Sequence, residues 1–196
     1  MVISIKRQGT RFKGIGMQID ELQAVFRRCP RCGAEHLEIS GEHRIWCSAC
    51  HFEYFHNVAT AVGALIITTQ GLLLLERAKE PSRDKFALPG GFVDPGETLE
   101  AALTRECEEE IGWKAELHRM VYFCSFPNTY LYKDILYHTC DMFFVIKQDD
   151  LDITQLQKDP AEVKAIRIIP IDEIQAESLA FESTRKAVEK LIKTNV

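Results

Sequence analysis

The sequence predicts an α/β (α+β) fold in two parts, a small cysteine-bearing module followed by a larger layered domain. Four cysteines are clustered in two CxxC pairs before residue 51, and from Val58 onward strand-like apolar runs alternate with helical stretches. The chain has 196 residues, of which 46% are hydrophobic and 27% charged. That composition is typical of a globular protein, and the length allows one ordinary domain and a small accessory one.

The predicted elements follow one another with turn residues between them. Strands are predicted over residues 58–69, 72–76, 115–125, 135–147 and 163–169, and residues 85–93 are expected to hold another short strand and a Pro-Gly-Gly turn. Helices are predicted over residues 20–28, 98–111, 171–177 and 182–194. Thr98 is expected to cap the second of these helices and Gly112 to end it. We therefore divide the chain into residues 1–24 (basic tail and short lead-in helix), 25–56 (cysteine module) and 57–196 (layered domain).

The cysteine module contains two closely spaced pairs, Cys29-Pro-Arg-Cys32 and Cys47-Ser-Ala-Cys50, separated by fourteen residues. Each pair can present two thiolates from one turn, and the intervening segment is long enough for a β-hairpin that brings the pairs together. Four thiolates complete a tetrahedral Zn²⁺ site, so this Zn²⁺ would be structural. The alternative, a redox CxxC, normally lies beside a βαβ pattern, which this segment lacks. The pattern predicts a zinc ribbon.

The predicted helix at 98–111 carries carboxylates close to its apolar face. At 100° per residue, the inward stripe that its first turns begin would continue through Glu106 and Glu110, with Glu109 on the flank. Glu108 is expected to face solvent. Adjacent carboxylates turned towards the interior repel one another and lose hydration, and hard divalent cations are the usual remedy. The helix therefore predicts a divalent-metal site.

These glutamates belong to a longer motif that begins at Gly91. The segment reads Gly91, five residues, Glu97, seven residues and then Arg-Glu-Cys-Glu-Glu-Glu-Ile-Gly-Trp. It resembles the Nudix box, G-x5-E-x7-R-E-U-x-E-E-x-G-U, with Cys107 and Trp113 at the two U sites that are usually bulky aliphatics. Resemblance to the Nudix family implies an α/β/α sandwich with a mixed sheet. It also implies hydrolysis of the phosphoanhydride bond in a nucleoside diphosphate linked to another moiety, with release of a nucleoside monophosphate.

The same resemblance implies roles for individual residues. The ligands of a catalytic Mg²⁺ or Mn²⁺ would be the carbonyl of Gly90 and the carboxylates of Glu106, Glu109 and Glu110. Glu97 and Arg105 would pair and fix the loop to the helix. The general base varies within the family, and Glu162, just before the last predicted strand, is our candidate. The alternative is that Glu162 is an exposed loop carboxylate without a catalytic role.

A zinc ribbon followed by a Nudix domain resembles the NADH pyrophosphatase branch of the family. That branch carries Ser-Gln-Pro-Trp-Pro-Phe-Pro after the box, whereas this chain reads Phe123-Cys-Ser-Phe-Pro-Asn-Thr-Tyr130. The segment is still typical of a base-binding loop, because Phe126 and Tyr130 could stack on a purine and Asn128 could hydrogen-bond to its edge. Alternatively, two of these aromatic residues belong to the core. NADH or a related dinucleotide and ADP-ribose are the expected substrates.

Two other functions fit parts of the sequence. One is the clean-up of non-canonical nucleoside triphosphates, and the other is a zinc-ribbon nucleic-acid-binding or regulatory protein with a Nudix fold. Residues 57–196 hold 16 Lys or Arg against 23 Asp or Glu. An excess of acidic residues is not typical of a nucleic-acid binder. The basic residues Arg27, Arg28 and Arg31 nevertheless leave contact with RNA as an alternative.

The sequence also bears on location and assembly. The longest apolar run, residues 58–67, is too short to span a bilayer, and the N-terminus lacks the pattern of a signal peptide. We therefore expect a cytoplasmic location and no membrane partner. The zinc ribbon could extend the fold or build a homodimer.

Overall fold

The structure is a computed structural model that describes residues 22, 24–35, 37–41, 43–133 and 135–194. The chain divides into two compact units between Asn57 and Val58. The predicted tail at residues 1–16 lies outside the described residues, as does the start of the predicted helix at 20–28, of which residues 22, 24 and 25 are helical. Within the described ranges, no helix is both long enough and apolar enough to cross a membrane.

The first unit contains a three-stranded antiparallel sheet in the order β1-β2-β3. Its strands are β1 (Glu38–Ser40), β2 (Arg44–Trp46) and β3 (Glu53–Phe55). The buried cluster of this unit is small and consists of Cys29, Leu37, Ile45 and Cys47. A core of this size stabilises little by itself, and modules of this kind usually depend on a metal or another cross-link.

The second unit is built on one mixed sheet flanked by two helices. Its elements are β4 (Ala59–Thr68), β5 (Gly71–Arg77), β6 (Phe86–Ala87), α1 (Leu99–Ile111), β7 (Val121–Tyr132), β8 (Ile135–Lys147), β9 (Val163–Ile169) and α2 (Glu182–Thr194). The sheet order is β6-β5-β4-β8-β7, and β9 pairs with β5. The β4–β8 pair is parallel, whereas β7 pairs with β8 and β9 with β5 in antiparallel fashion.

The two helices cover opposite faces of the sheet, because alternate strand residues point to opposite sides. Ala64 and Ile66 of β4 pack with buried residues of α1, whereas Leu65 packs with Val188 and Leu191 of α2. The predicted α/β/α sandwich is confirmed.

Two predicted elements differ from the structure. The strand expected at 115–125 begins only at Val121, after a 3₁₀ turn at Leu117–Arg119, and then continues to Tyr132. Pro127 does not interrupt it, because β7 lies at the edge of the sheet, where a missing N–H is tolerated. The helix expected at 171–177 is instead a pair of 3₁₀ turns, since so short a segment gains too little from helical hydrogen bonds.

The central strands β4 and β5 are paired only near the turn that joins them, through Ile67–Leu72 and Thr68–Gly71. Beyond that turn an extended segment over residues 86–93 lies alongside both strands. Its start, β6, pairs with β5, and its later part bonds to β4 through Val62 N–H to Gly91 O at 2.9 Å and Val93 N–H to Thr60 O at 3.0 Å. This segment carries Gly90 and Gly91 into the middle of the sheet.

Candidate active site

Helix α1 begins and ends as the sequence predicts. The Thr98 hydroxyl accepts a hydrogen bond from the Ala101 N–H at 3.2 Å, and Gly112 ends the helix with φ at 64°. The buried residues of the helix are Ala102, Leu103, Cys107 and Ile111. The buried stripe therefore continues through Cys107 and Ile111, and the prediction that it runs through Glu106 and Glu110 is wrong in this detail. The drift of a 3.6-residue period places these two glutamates beside the stripe.

Arg105 is the centre of a hydrogen-bonded cluster that uses all five of its N–H donors. Its Nε and Nη2 donate to the two carboxylate oxygens of Glu97 at 2.9 and 3.1 Å. Its Nη1 donates to Glu106 Oε1 at 2.8 Å and Glu109 Oε2 at 3.0 Å, and Nη2 also donates to the Phe92 carbonyl at 3.0 Å. The Arg105 hydrogen bonds hold the pKa of Glu97 below its usual range. The geometry thus shows the expected Glu97–Arg105 pair.

Glu110 lies against the glycine segment, and its Oε2 accepts a hydrogen bond from the Gly90 N–H at 2.9 Å. Burial raises the pKa of Glu110 to about 8 despite that hydrogen bond, and the neighbouring carboxylates of Glu106 and Glu162 add to the rise. Burial also raises the pKa of Glu106, although Arg105 opposes the change. The charged forms of these two side chains are therefore costly unless a cation compensates them.

Gly90 is required by close packing against the backbone of β4, whereas Gly91 leaves room for the Glu106 carboxylate. A Cβ on Gly90, whose φ is 144°, would lie 2.1 Å from the Val62 carbonyl oxygen. A Cβ on Gly91 would lie 2.5 Å from Glu106 Oε1. The absence of these side chains lets α1 bring its carboxylates against the backbone of the segment.

The motif carboxylates differ in exposure, since the side chain of Glu106 is 14% exposed and that of Glu109 is 60% exposed. Within the described ranges, only the four cysteines bring three or more ligand atoms within 4.8 Å of one another, so the motif glutamates do not form so compact a set. Glu106 and Glu109 instead share the Arg105 guanidinium. The donor set of carboxylates near a backbone segment nevertheless matches what Mg²⁺ and Mn²⁺ prefer, because these ions bind oxygen ligands.

Glu162 lines the same cavity from the loop before β9. Its loop is tied to the end of α1 through Asp159 N–H to Glu110 O at 3.0 Å and Gln157 N–H to Ile111 O at 3.0 Å. The Glu162 carboxylate forms an ion pair with Lys79, and both residues line the cavity. The structure therefore places the candidate base in the same cavity as the motif carboxylates.

A cavity of about 610 Å³ joins these carboxylates to a second group of residues on the α2 side of the sheet. Asn128 and Tyr130 line this second part, which we call the aromatic end, together with Phe181. The predicted base-binding loop is wrong as a loop, because these residues lie on β7. Phe126 is not among the lining residues. Its side chain lies on the same face of β7 as those of Asn128 and Tyr130, but it packs into the core beneath α2.

The cavity is also lined by residues that the sequence analysis missed, among them Asp141, Thr139, Arg77 and Phe181. Asp141 and Thr139 of β8 are buried and line the aromatic end, and the Arg77 guanidinium lies 5.0 Å from the ring centroid of Phe181. Asp141 could have been noticed, because it interrupts the apolar run of a central strand. Arg77 and Phe181 come from distant elements, and no sequence spacing connects them.

The four cysteines of the first unit form a compact cluster. The Sγ atoms of Cys29 and Cys50 are 3.6 Å apart, and those of Cys32 and Cys47 are 3.7 Å apart. Thiolates bound tetrahedrally to Zn²⁺ at about 2.3 Å would be separated by roughly 3.8 Å. Burial opposes ionisation of Cys29, but backbone N–H groups of Cys32 and Arg31 lower its pKa to about 7. The cluster therefore has the spacing and chemistry of a zinc site.

Comparison with known proteins identifies a family model and several relatives that match this chain. The family model described as NUDIX domain matches residues 58–191. An NAD-capped RNA hydrolase, NudC, of Deinococcus radiodurans is 35% identical over 104 residues, covering 52% of this chain and 37% of that protein. An ADP-ribose pyrophosphatase of Methanocaldococcus jannaschii is 36% identical over 93 residues, covering 47% of this chain and 52% of that protein. This chain thus spans about half or less of the length of these relatives.

A solved structure shows a similar fold over most of both chains. It is the crystal structure of a NUDIX hydrolase from Nitrosomonas europaea, with a TM-score of 0.62 and 26% sequence identity. The match covers 85% of this chain and 90% of the other.

Proposed function

Since this chain belongs to the Nudix family, we propose that it is a divalent-metal-dependent pyrophosphohydrolase of adenosine diphosphate compounds. Its substrate would be NADH or a related dinucleotide, or ADP-ribose, cleaved within the diphosphate to release AMP. The relatives named for NAD-capped RNA and ADP-ribose support this choice, because NAD and ADP-ribose share an adenosine diphosphate.

The observation that carries the proposal is the single cavity with two chemically different ends. One end is formed by the motif carboxylates and the glycine segment, and the other by the aromatic side chains of Tyr130 and Phe181. A diphosphate needs cations, which carboxylates can hold, whereas a nucleobase needs flat apolar surfaces. A nucleoside diphosphate satisfies both requirements at once.

The roles that we propose for the residues follow from their contacts. Glu106, Glu109, Glu110 and the Gly90 carbonyl would hold Mg²⁺ or Mn²⁺. When bound, such an ion neutralises phosphate charge and lowers the pKa of a coordinated water. Arg105 orients Glu106 and Glu109, and Glu97 holds Arg105 in place. Glu162 would accept the proton of the attacking water, with Lys79 keeping its carboxylate oriented.

Each of the two units also has a proposed identity. We propose that residues 25–56 form a zinc ribbon with a structural Zn²⁺ on Cys29, Cys32, Cys47 and Cys50, and that residues 57–196 form the hydrolase domain. Four thiolates complete the zinc coordination, so this ion would take no part in the reaction.

The proposal is tested by chromatography of the products formed from NADH, NAD⁺, ADP-ribose and a panel of nucleoside triphosphates. We expect AMP from at least one of the first three, and only when Mg²⁺ or Mn²⁺ is added. Withholding the ion is preferable to adding a chelator, because a chelator would also remove a metal ion bound by the cysteine cluster. Pyrophosphate from triphosphates, with the other compounds untouched, would show that the protein is a triphosphate clean-up enzyme.

Two variants of α1 test the metal site itself. Glu110→Gln keeps the shape of the side chain but removes its charge, and should lower kcat/KM by about a hundredfold or more. Glu108→Gln changes an exposed residue of the same helix and should have little effect. Equal losses in the two variants would contradict the assignment of Glu110 to the metal site.

A further inference from the structure

Asp141 is a carboxylate in the wall of the cavity with only one of its oxygens paired. It lies on β8 and is 9% exposed. Its Oδ2 accepts hydrogen bonds from Asn128 Nδ2 at 3.0 Å and Ser183 Oγ at 2.5 Å. Its Oδ1 is buried and has no hydrogen-bond partner among the described residues. An unpaired buried acceptor is costly, so a ligand that supplies a donor here gains affinity by pairing it.

The surroundings of Asp141 indicate which kind of donor is involved. Tyr130 and Phe181 line the same part of the cavity, with ring centroids 6.1 Å apart and ring planes inclined at 49°. Phe92 extends this aromatic wall, edge-on to Tyr130 at 5.6 Å. Aromatic side chains with a polar group at the margin are typical of a site for a flat heterocycle read along its edge.

The side chain of Asn128 helps to orient Asp141. Its amide nitrogen donates a hydrogen bond to Asp141 Oδ2 at 3.0 Å, and this contact fixes the carboxylate. Ser183, at the start of α2, donates a second hydrogen bond to the same carboxylate oxygen. These two contacts hold the orientation of Asp141.

We propose that Asp141 is a specificity-determining residue, whose carboxylate accepts a hydrogen bond from the exocyclic amino group of the substrate base. This inference rests on the proposed function, because it assumes that the aromatic end receives the nucleoside. A carboxylate accepts hydrogen bonds but has none to donate, so it discriminates an amino group from an oxo group at the same position. Adenine and hypoxanthine differ in this way at position 6.

The test compares ADP-ribose with its hypoxanthine counterpart as substrates of the full-length protein in Mg²⁺. The wild-type protein should have a kcat/KM about 10- to 100-fold higher for the adenine compound, the scale expected for one hydrogen bond to a charged acceptor. In Asp141→Asn, the amide oxygen can take over the contacts with Asn128 and Ser183, which leaves an N–H₂ group for the base. The preference should therefore vanish or reverse.

A matched control changes another aspartate of the same cavity. Asp159→Asn lies near the carboxylate end and should leave the ratio of the two substrates unaltered. If Asp141→Asn also preserves the wild-type ratio, or if the wild-type protein does not distinguish the substrates, the proposal is wrong. A proportional loss on both substrates would point to a ribose hydroxyl as the donor and would equally overturn it.

Binding of the products separates this inference from the proposed function. AMP and IMP can be titrated by calorimetry even if no compound is hydrolysed. Tighter binding of AMP to the wild-type protein, lost in Asp141→Asn, would support the inference although the hydrolase proposal had failed. If that variant does not fold, the wild-type comparison decides, since equal affinities for AMP and IMP would overturn the inference.

Discussion

Replacement of Glu110 by Gln should remove a pH-dependent cost from the folded state. Burial raises the pKa of this carboxyl from 4.5 to about 8. Between these values the unfolded chain releases the proton and the folded chain keeps it, so the free energy of unfolding falls as pH rises. Each pH unit contributes about 1.4 kcal/mol, which gives on the order of 5 kcal/mol over the whole window from 4.5 to about 8. Gln can still accept the hydrogen bond from Gly90.

Urea unfolding measures this cost directly. Trp113 packs against the core on the α1 side, so a Trp46→Phe background lets tryptophan fluorescence follow the second unit alone. Without Mg²⁺, the free energy of unfolding should fall between about pH 5 and pH 8 in this background but much less in the Glu110→Gln variant. Added Mg²⁺ should restore stability, and more strongly at the higher pH, because it binds the charged form.

Glu108→Gln is the matched control, because Glu108 is an exposed glutamate on the same helix. It should keep the pH dependence of the unchanged sequence. The reasoning would be refuted if Glu110→Gln also kept that dependence, since Glu110 would then titrate as an ordinary surface carboxylate.

Two further predictions concern the other parts of the chain. Metal analysis should find about one zinc per chain, lost in Cys47→Ser but retained in Cys140→Ser, whose cysteine lies outside the cluster; a zinc-free native protein would contradict the ribbon. Tyr130→Ala should raise KM by removing a stacking surface. Phe126→Ala should instead lower stability by about 3 kcal/mol or less with KM nearly unchanged, because Phe126 packs beneath α2. Equal KM effects would contradict this division.

The local structure of α1 and its motif was predictable because short-range rules decide it. A capping threonine, a terminal glycine and a fixed spacing of charges depend only on neighbours along the chain. The Glu97–Arg105 pair likewise joins residues that are only eight positions apart, one just before α1 and the other within it. Family resemblance supplied the expected partners, and the geometry agrees with them.

The aromatic end was less predictable because it is assembled from distant segments. Asn128 and Asp141 meet only through the pairing of β7 with β8, and Phe181 arrives from the segment before α2. A run containing proline, asparagine and threonine is typical of a loop, but pairing with β8 overrides that local preference. The register of β7 also decides that Phe126 lies in the core while Tyr130 reaches the cavity.

The extended segment at residues 86–93 joins one wall of the cavity to the central sheet by backbone hydrogen bonds. Because Val62 and Ala64 donate their N–H groups to the carbonyls of Gly91 and Pro89 at 2.9 and 2.8 Å, moving the glycines requires breaking the ladder of β4. Such amides exchange with solvent only when the surrounding sheet opens. Their exchange rates therefore report on the integrity of the glycine segment, and this wall of the cavity should keep its shape for as long as the central sheet stays folded.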